Sequence, residues 1–447
     1  MSSSNNQLPK DWKWVKVGEY VISVKGKKPK RLSKEKTKEC SIPYVNIKAF
    51  EKNIIDEYTD GVGCALCDDG DFLMVWDGSR SGYVGRALRG ALGSTLVKLN
   101  FPNIENNYAY YFLQSKYNEI NTRAKGVGIP HVDPNILWNY DLLIPPKPTQ
   151  QAIVSKIEEL FSKLDKGIEN LQTAQQQLKT YRQSVLKWAF EGKLTNSLNH
   201  DSYDLHDEHD LNIAAEPEIK YNKQNNQDNQ NNQINHSSDK GELPKGWKWI
   251  KSCELFDFVT SGSRGWAKYY SDKGAIFIRI TNLDFDSLDL DLEESKIQYV
   301  NPPSNSEGIR TKVREGDFLF SITGYLGMFA IAPKLDNAFV NQHISLCRPK
   351  NGFNNRYVGY WIISKAGGHY YLNKMTKGAT KAGLGLDDIK KFPIPIAPIA
   401  EQNNIVQAIE RRLSVADKME ESITQSLQQA EALRQSILKK AFEGKLV

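Results

Sequence analysis

Two stretches of this chain carry apolar residues every three or four positions. Ile157, Leu160, Leu164, Ile168, Leu171, Leu178, Val185 and Ala189 make one stripe. Ile409, Leu413, Ala416, Ile423, Leu427, Ala430, Ile437 and Ala441 make the other. That spacing predicts one apolar face on each of two helices, near 152–190 and 404–442. Pro145, Pro146 and Pro148 stand before the first and Pro393, Pro395 and Pro398 before the second, where proline blocks an earlier helical start. Gly192 and Gly444 are placed to end them. A helix of about 33 residues is about 50 Å long. One stripe of that length needs a partner, and each stripe is the other's. The expectation is an antiparallel coiled coil.

The rest of the chain follows another pattern. Short apolar runs such as 42–47 (IPYVNI) and 275–280 (AIFIRI) sit between turn signals and predict strands, with a few short helices. The same order occurs twice. Leu8-Pro9-Lys10-Asp11-Trp12-Lys13-Trp14 returns as Leu243-Pro244-Lys245-Gly246-Trp247-Lys248-Trp249, a shift of 235. Ala189-Phe190-Glu191-Gly192-Lys193-Leu194 returns identically at 441–446, a shift of 252. Between them Gly70-Asp71-Phe72-Leu73 answers Gly316-Asp317-Phe318-Leu319. The shift grows almost entirely before the helical segments, so the β-rich parts have diverged while the helices have stayed alike. The expected fold class is α+β: two mostly β domains with short helices, separated by two long helices that pair, with an internal pseudo-twofold repeat. The expected division is a first domain at 1–147, a helical spacer at 148–194, a polar linker at 195–242, a second domain at 243–397 and a second spacer at 398–447.

The 195–242 linker is rich in Asn and Gln and has almost nothing to bury, which predicts flexibility. Four of the seven histidines (His200, His206, His209, His236) lie there, and a solvated tract explains them better than a metal site. A hydrophobic content of 40% and a charged content of 25% fit a soluble globular protein. No run of 18 apolar residues and no signal-like start occur, so a cytoplasmic protein without a membrane is expected. Five scattered cysteines do not make a disulfide framework. The pair Cys64 and Cys67 lacks the second pair that a closed zinc site wants, so no metal is expected.

A net charge of +6 says little by itself, but residues 25–38 hold eight Lys/Arg against one Glu. Basic clusters of this kind neutralise phosphates. Catalytic motifs are missing: no phosphate loop ending in Lys-Ser/Thr, no nucleophile elbow and no paired CxxC. Asn301-Pro302-Pro303-Ser304 is similar to the Asn-Pro-Pro-aromatic loop of amino-methyltransferases, but Ser304 cannot stack on a base, and a turn explains the segment better. No catalytic residue is expected.

The ordered, duplicated set resembles the specificity subunits of type I restriction–modification systems. It consists of the Leu-Pro-x-x-Trp starts, the Gly-Asp-Phe-Leu turns, Asn341-Gln342-His343, Ile394-Pro395-Ile396 with Glu401-Gln402, and both AFEGKL ends. The first unit departs from it with Thr149-Gln150-Gln151 where the second reads Ala400-Glu401-Gln402. The resemblance implies two target-recognition domains on double-stranded DNA, one for each half of an asymmetric target. It also implies a complex with two modification subunits that methylate adenine and with restriction subunits that move along DNA and cut it. The methyl donor, ATP and Mg would belong to those partners, with no cofactor in this chain. Rival readings are the recognition part of a combined methyltransferase or nuclease, and a coiled-coil scaffold; neither accounts for the basic cluster together with the missing cofactor motifs.

Candidate DNA contacts follow from side-chain chemistry. Lys27, Lys28, Lys30, Arg31, Lys377 and Lys381 are candidates for phosphates, because lysine makes point-charge contacts without sequence information. Asn46, Lys48, Arg80, Tyr83, Arg86 and His131 in the first domain are candidates for base edges. In the second domain the candidates are Arg264, Trp266, Arg279, Asn282, Tyr325, Gln342 and His343. Arg and Asn suit guanine and adenine respectively. Asn46 and Arg279 hold matching repeat positions after a strand.

Overall fold

The computed structural model describes residues 11–126, 128–196, 243–303, 310–376 and 383–446. Beyond residue 196 the expected linker, with its four histidines, lies outside the described residues, as do Ser304, Lys377 and Lys381. The chain forms two compact units, Met1–Gln172 with Thr424–Val447, and Thr173–Ile423. Each long helix gives one part to each unit.

The first unit carries β1 (Lys13–Lys16), β2 (Ile22–Lys25), β3 (Ile42–Val45), β4 (Tyr58–Thr59), β5 (Leu66–Cys67), β6 (Phe72–Val75), β7 (Val84–Arg86), β8 (Gly90–Leu92), β9 (Leu96–Asn100) and β10 (Asp141–Ile144). They make sheets ordered β2-β9-β6-β7 and β4-β3-β8-β5, plus the pair β1-β10. The second unit carries β11 (Lys248–Lys251), β12 (Phe256–Ser261), β13 (Tyr270–Ser271), β14 (Ala275–Ile278), β15 (Tyr299–Val300), β16 (Phe318–Ser321), β17 (Phe329–Ile331), β18 (Ala338–Val340), β19 (Ile344–Pro349) and β20 (Pro393–Ile396). Its sheets are β12-β19-β16-β17 and β13-β15-β14-β18, plus β11-β20. The repeat is thus a repeat of topology. Each domain has one parallel pairing, Val45 opposite Leu92 and Ile278 opposite Val340. In each, the tryptophan-bearing first strand closes antiparallel onto the last, Trp14 opposite Leu143 and Trp249 opposite Pro395.

The Gly-Asp-Phe-Leu runs open the central strands. Successive strand residues point to opposite faces, and here both faces are core. Phe72 and Met74 enter one apolar cluster while Leu73 and Val75 enter another. Phe318 and Phe320 divide from Leu319 in the same way. The Asn-Pro-Pro segment is a loop after β15, where Asn301 donates through Nδ2 to the Lys273 carbonyl (3.0 Å).

The helices include α1 (Asn106–Ser115), α2 (Lys147–Phe190), α3 (Asn355–Ile363) and α4 (Ile399–Phe442), beside several shorter ones. The long helices have 44 residues each and begin earlier than their stripes imply. Pro148 lies in the first turn of α2, where a missing N–H costs nothing because no intrahelical acceptor exists there. Gly192 and Gly444 follow the helical ends at φ +71° and +69°, the left-handed geometry that a glycine stop supplies.

The two helices run antiparallel within each unit. In the first, Ile153, Val154 and Ile157 share a core with Ile437, Leu438 and Ala441, while Asp165, further along α2, pairs with Arg434, earlier on α4. In the second, Val185, Leu186 and Ala189 share a core with Ile405, Val406 and Ile409, while Arg182 pairs with Asp417 (2.6 Å) and Glu420 (2.8 Å). Asp165 and Arg182 recur as Asp417 and Arg434, so the two ion pairs are the same contact made in both directions.

The helix ends are exchanged between repeats. Phe442, at the end of the second repeat, packs on Tyr108 (5.1 Å) and Phe112 (5.4 Å) of α1. Phe190, at the end of the first, packs on Tyr357 (5.2 Å) and Trp361 (5.1 Å) of α3. Tyr108 and Tyr357 each donate a buried hydroxyl to a carbonyl of the closing strand, Leu143 (2.7 Å) and Pro395 (2.9 Å). Gln150 and Gln402 are likewise the same residue in structure. Gln150 donates to the Pro145 carbonyl (2.8 Å) and accepts from Glu105 N (2.8 Å); Gln402 donates to Ala397 (2.7 Å) and accepts from Asn354 N (2.9 Å). The departure read from sequence at this point is a one-residue misregister, and the buried glutamine is kept.

Candidate nucleic-acid interface

Four connections meet at one end of the β2-β9-β6-β7 sheet. They are the chain leaving β2, the β8–β9 turn, the β6–β7 turn and the segment 128–132. Backbone bonds fix them to each other: Gly26 N to Leu96 O (2.9 Å), Trp76 N to Thr95 O (2.8 Å), Gly78 N to Pro130 O (2.7 Å) and Val132 N to Trp76 O (2.9 Å). The second domain repeats this frame with Gly262 N to Ile344 O (3.4 Å), Ile322 N to His343 O (2.9 Å) and Leu384 N to Ile322 O (3.0 Å). Matching bonds identify matching positions. Lys28 corresponds to Arg264, Ser94 and Thr95 to Gln342 and His343, and His131 to Gly383. The scaffold is shared, and the side chains on it differ.

In the first domain Lys27, Lys28 and Lys30 are exposed on the chain leaving β2, without an ion-pair partner among the described residues. Arg31 lies 3.9 Å from Asp60. Lys25 and Lys125 are neutralised by Asp77 (3.0 Å) and Asp133 (2.7 Å), whereas the three lysines carry no such pairing among the described residues. Arg80, in the β6–β7 turn, lies over Tyr83 (3.9 Å to the ring) and contacts Glu51 (3.1 Å). Tyr83 packs in turn on Phe50 and Tyr117. His131 exchanges backbone bonds with Lys125 and bridges to Asp77.

Other first-domain candidates are committed elsewhere. Asn46 caps the short helix Ile47–Lys52 through Oδ1 to Ala49 N (2.9 Å), and its Nδ2 donates to Asp56 (3.2 Å) and Glu57 (2.9 Å). Lys48 pairs with Asp56 (2.6 Å), and the ammonium together with Asn46 holds that carboxyl below its usual range. Arg86 sits at the far end of β7, bound to the Gly70 carbonyl (3.3 Å) and Asn107 and stacked on Tyr110 (4.1 Å). It braces α1 against the sheet, away from the loops.

In the second domain Arg264 is exposed on the chain leaving β12. Gln342 and His343 form the β18–β19 turn, where His343 Nδ1 meets Thr323 Oγ1 and Nε2 meets Gln342 Nε2 (2.9 Å). Tyr325 stands on the β16–β17 turn with 72% of its surface exposed. Arg279 follows β14 as Asn46 follows β3, and its Nη2 donates to the Lys296 carbonyl (3.0 Å). Two expected base readers are instead packing residues. Trp266 is 5% exposed and stacked on Phe277 (5.0 Å). Asn282 is 1% exposed; it accepts from Arg279 N (2.8 Å) and donates to Asp291 O (2.9 Å), which uses both ends of its amide.

Sequence reasoning passed over Arg310. Its guanidinium reaches Thr260 Oγ1 and Ser263 Oγ (3.2 Å), which holds it beside the chain that carries Arg264. Nothing in the surrounding residues marks it, because the interaction spans some 50 positions and exists only in the fold. Among the described residues no cluster of three or more His, Cys, Asp or Glu could hold a metal, and no helix is long and apolar enough to cross a membrane. The Cys67 thiol is pushed up to about 11 by burial and sits against the Leu88 and Gly90 carbonyls.

Comparison with known proteins places this geometry. The model of the type I restriction modification DNA specificity domain matches residues 9–179 and again 244–429. A curated relative is the type I restriction enzyme MjaVIII specificity subunit of Methanocaldococcus jannaschii, 23% identical over 98% of this chain and 94% of that one. The EcoDI specificity subunit of Escherichia coli is 21% identical over 99% of this chain and 90% of its own length. A chain solved in work on complex assembly and conformational transition of the type I R-M system superposes with a TM-score of 0.67 at 18% identity. The match covers 98% of this chain and 99% of that one, and it shows the same fold.

Proposed function

The chain belongs to the family of type I restriction modification DNA specificity domains, and from that premise we propose that it is the DNA-recognition subunit of a type I restriction–modification complex. It reads an asymmetric, two-part target, one half-site per domain, and it contributes recognition rather than catalysis. Two modification subunits methylate adenine and hold the methyl donor; restriction subunits use ATP and Mg to move and cut. The setting is the cytoplasm, where the DNA is.

One observation carries this reading. Two domains with the same loop scaffold present different side chains at matching positions: Lys28 against Arg264, and Ser94-Thr95 against Gln342-His343. A structural scaffold gains nothing from such divergence in its exposed loops, whereas two readers of two sequences require it. Methylome sequencing of cells that carry this chain with its modification subunit tests the proposal. The expected result is one motif with two dissimilar halves around unread bases. A palindromic motif, or adenine methylation by the purified chain alone that is lost in Asn301→Ala, would contradict it.

A further inference from the structure

The β16–β17 turn is pinned on all sides yet raises one side chain that the fold does not use. Ser321 Oγ accepts from Met328 N (2.8 Å) and donates to the Tyr325 carbonyl. Thr323 is bridged to Gly383 and meets His343 through its hydroxyl. Gly324 and Gly327 take φ +73° and +81°, which a side chain would strain. At Gly327 an added Cβ would also come within 3.3 Å of the His369 ring. Leu326 turns inward onto the core, and Tyr325 turns out. Among the described residues its ring contacts no other ring and no cation.

The first domain uses the same place differently. Its turn is one residue longer between matching glycines, Gly78 and Gly82, and carries Arg80 laid down on Tyr83. One turn lowers a cation onto a ring, and the other lifts a bare ring clear of the surface. Among the described residues, those tied to this turn on its outer side (Thr323, Gly324, Gly383 and, through His343, Gln342) are polar or small. A lone ring in polar surroundings is not the contiguous apolar patch that a protein partner needs. It suits a flat apolar face framed by hydrogen-bonding edges, and a nucleobase is that.

We propose that Tyr325 stacks on a nucleobase of the half-site read by the second domain, as a wedge that opens one base step there. This rests on the DNA-reading function proposed above. The turn is held by its own hydrogen bonds, which lowers the entropy cost of inserting the ring, and stacking offsets part of the unstacking of the duplex. The first half-site, facing Arg80, stays stacked.

The test uses the full chain and duplexes of the methylated target with 2-aminopurine placed in turn through both half-sites. The wild type and Tyr325→Phe should raise fluorescence at one step of the second half-site and at none of the first. Tyr325→Ala should abolish that rise and weaken binding about ten- to a hundredfold. Because Tyr325 is exposed, the variants should keep the thermal unfolding of the parent. Equal binding and an equal fluorescence rise in Tyr325→Ala would overturn the proposal. Loss in Tyr325→Phe as large as in Tyr325→Ala would replace stacking by a hydroxyl contact and overturn it too. Specific binding without any fluorescence rise would sink the wedge alone, whereas no specific binding by the wild type would sink the recognition role itself.

Discussion

Lys28 and Arg264 stand at the same point of the two domains, and under the proposed function the lysine meets phosphate and the arginine a base edge. Changing Lys27, Lys28 and Lys30 together to alanine should weaken binding to every sequence alike. It should also lower the slope of log affinity against log salt by about 0.9 for each phosphate that is no longer neutralised. Equilibrium binding to cognate and scrambled duplexes across a salt series reads this; weakening confined to the cognate duplex would mean the lysines read bases. Arg264→Ala should instead cost about 1–3 kcal/mol at one base pair of one half-site, seen by varying each base in turn. At this scale the sequence was only partly legible. An exposed lysine cluster and a strand-following Asn46 or Arg279 could be found by pattern. Whether an amide caps a helix, as in Asn46, or is buried behind a loop, as in Asn282, is not written in its neighbours. Trp266 looked like a surface ring because the partners that bury it, Phe277 and Phe339, lie on strands 11 and 73 positions away.

The long helices were the most legible elements, since their stripes must be buried and each had one available partner. The first of them starts earlier than its prolines imply because a proline that stops a helix interior is welcome in the first turn, where Pro148 sits. The exchange of helix ends was not legible, because identical AFEGKL segments give no sign of which domain each one fills. That exchange makes a sharp prediction. Phe190→Ala removes a buried ring from the core around α3 at a cost of about 3–5 kcal/mol, and Phe442→Ala removes a half-buried ring from the core around α1 at a smaller cost. Hydrogen exchange should then rise at 355–363 in the first variant and at 106–115 in the second, although each substitution lies in the opposite repeat. The reverse assignment would show that each helix end packs on its own repeat.

As a whole, the molecule is one design used twice, held constant where the copies meet and varied where loops gather at a sheet end. The constant part includes Tyr108 and Tyr357, Gln150 and Gln402, and the reciprocal ion pairs of Asp165 with Arg434 and Arg182 with Asp417. The varied part is the set of loop side chains, where the β6–β7 and β16–β17 turns differ by one residue in length. That difference hid their match in the sequence, and it leaves the strands on either side in register. Independence of the two readers is the central claim. The most direct test replaces residues 243–393 with the equivalent part of a relative, chosen to keep aromatic residues at Tyr357 and Trp361 so that Phe190 stays packed. The methylation motif of the chimaera is then sequenced. One half-site should change to the donor's while the other half keeps every base; a motif altered in both halves, or in neither, would contradict the account.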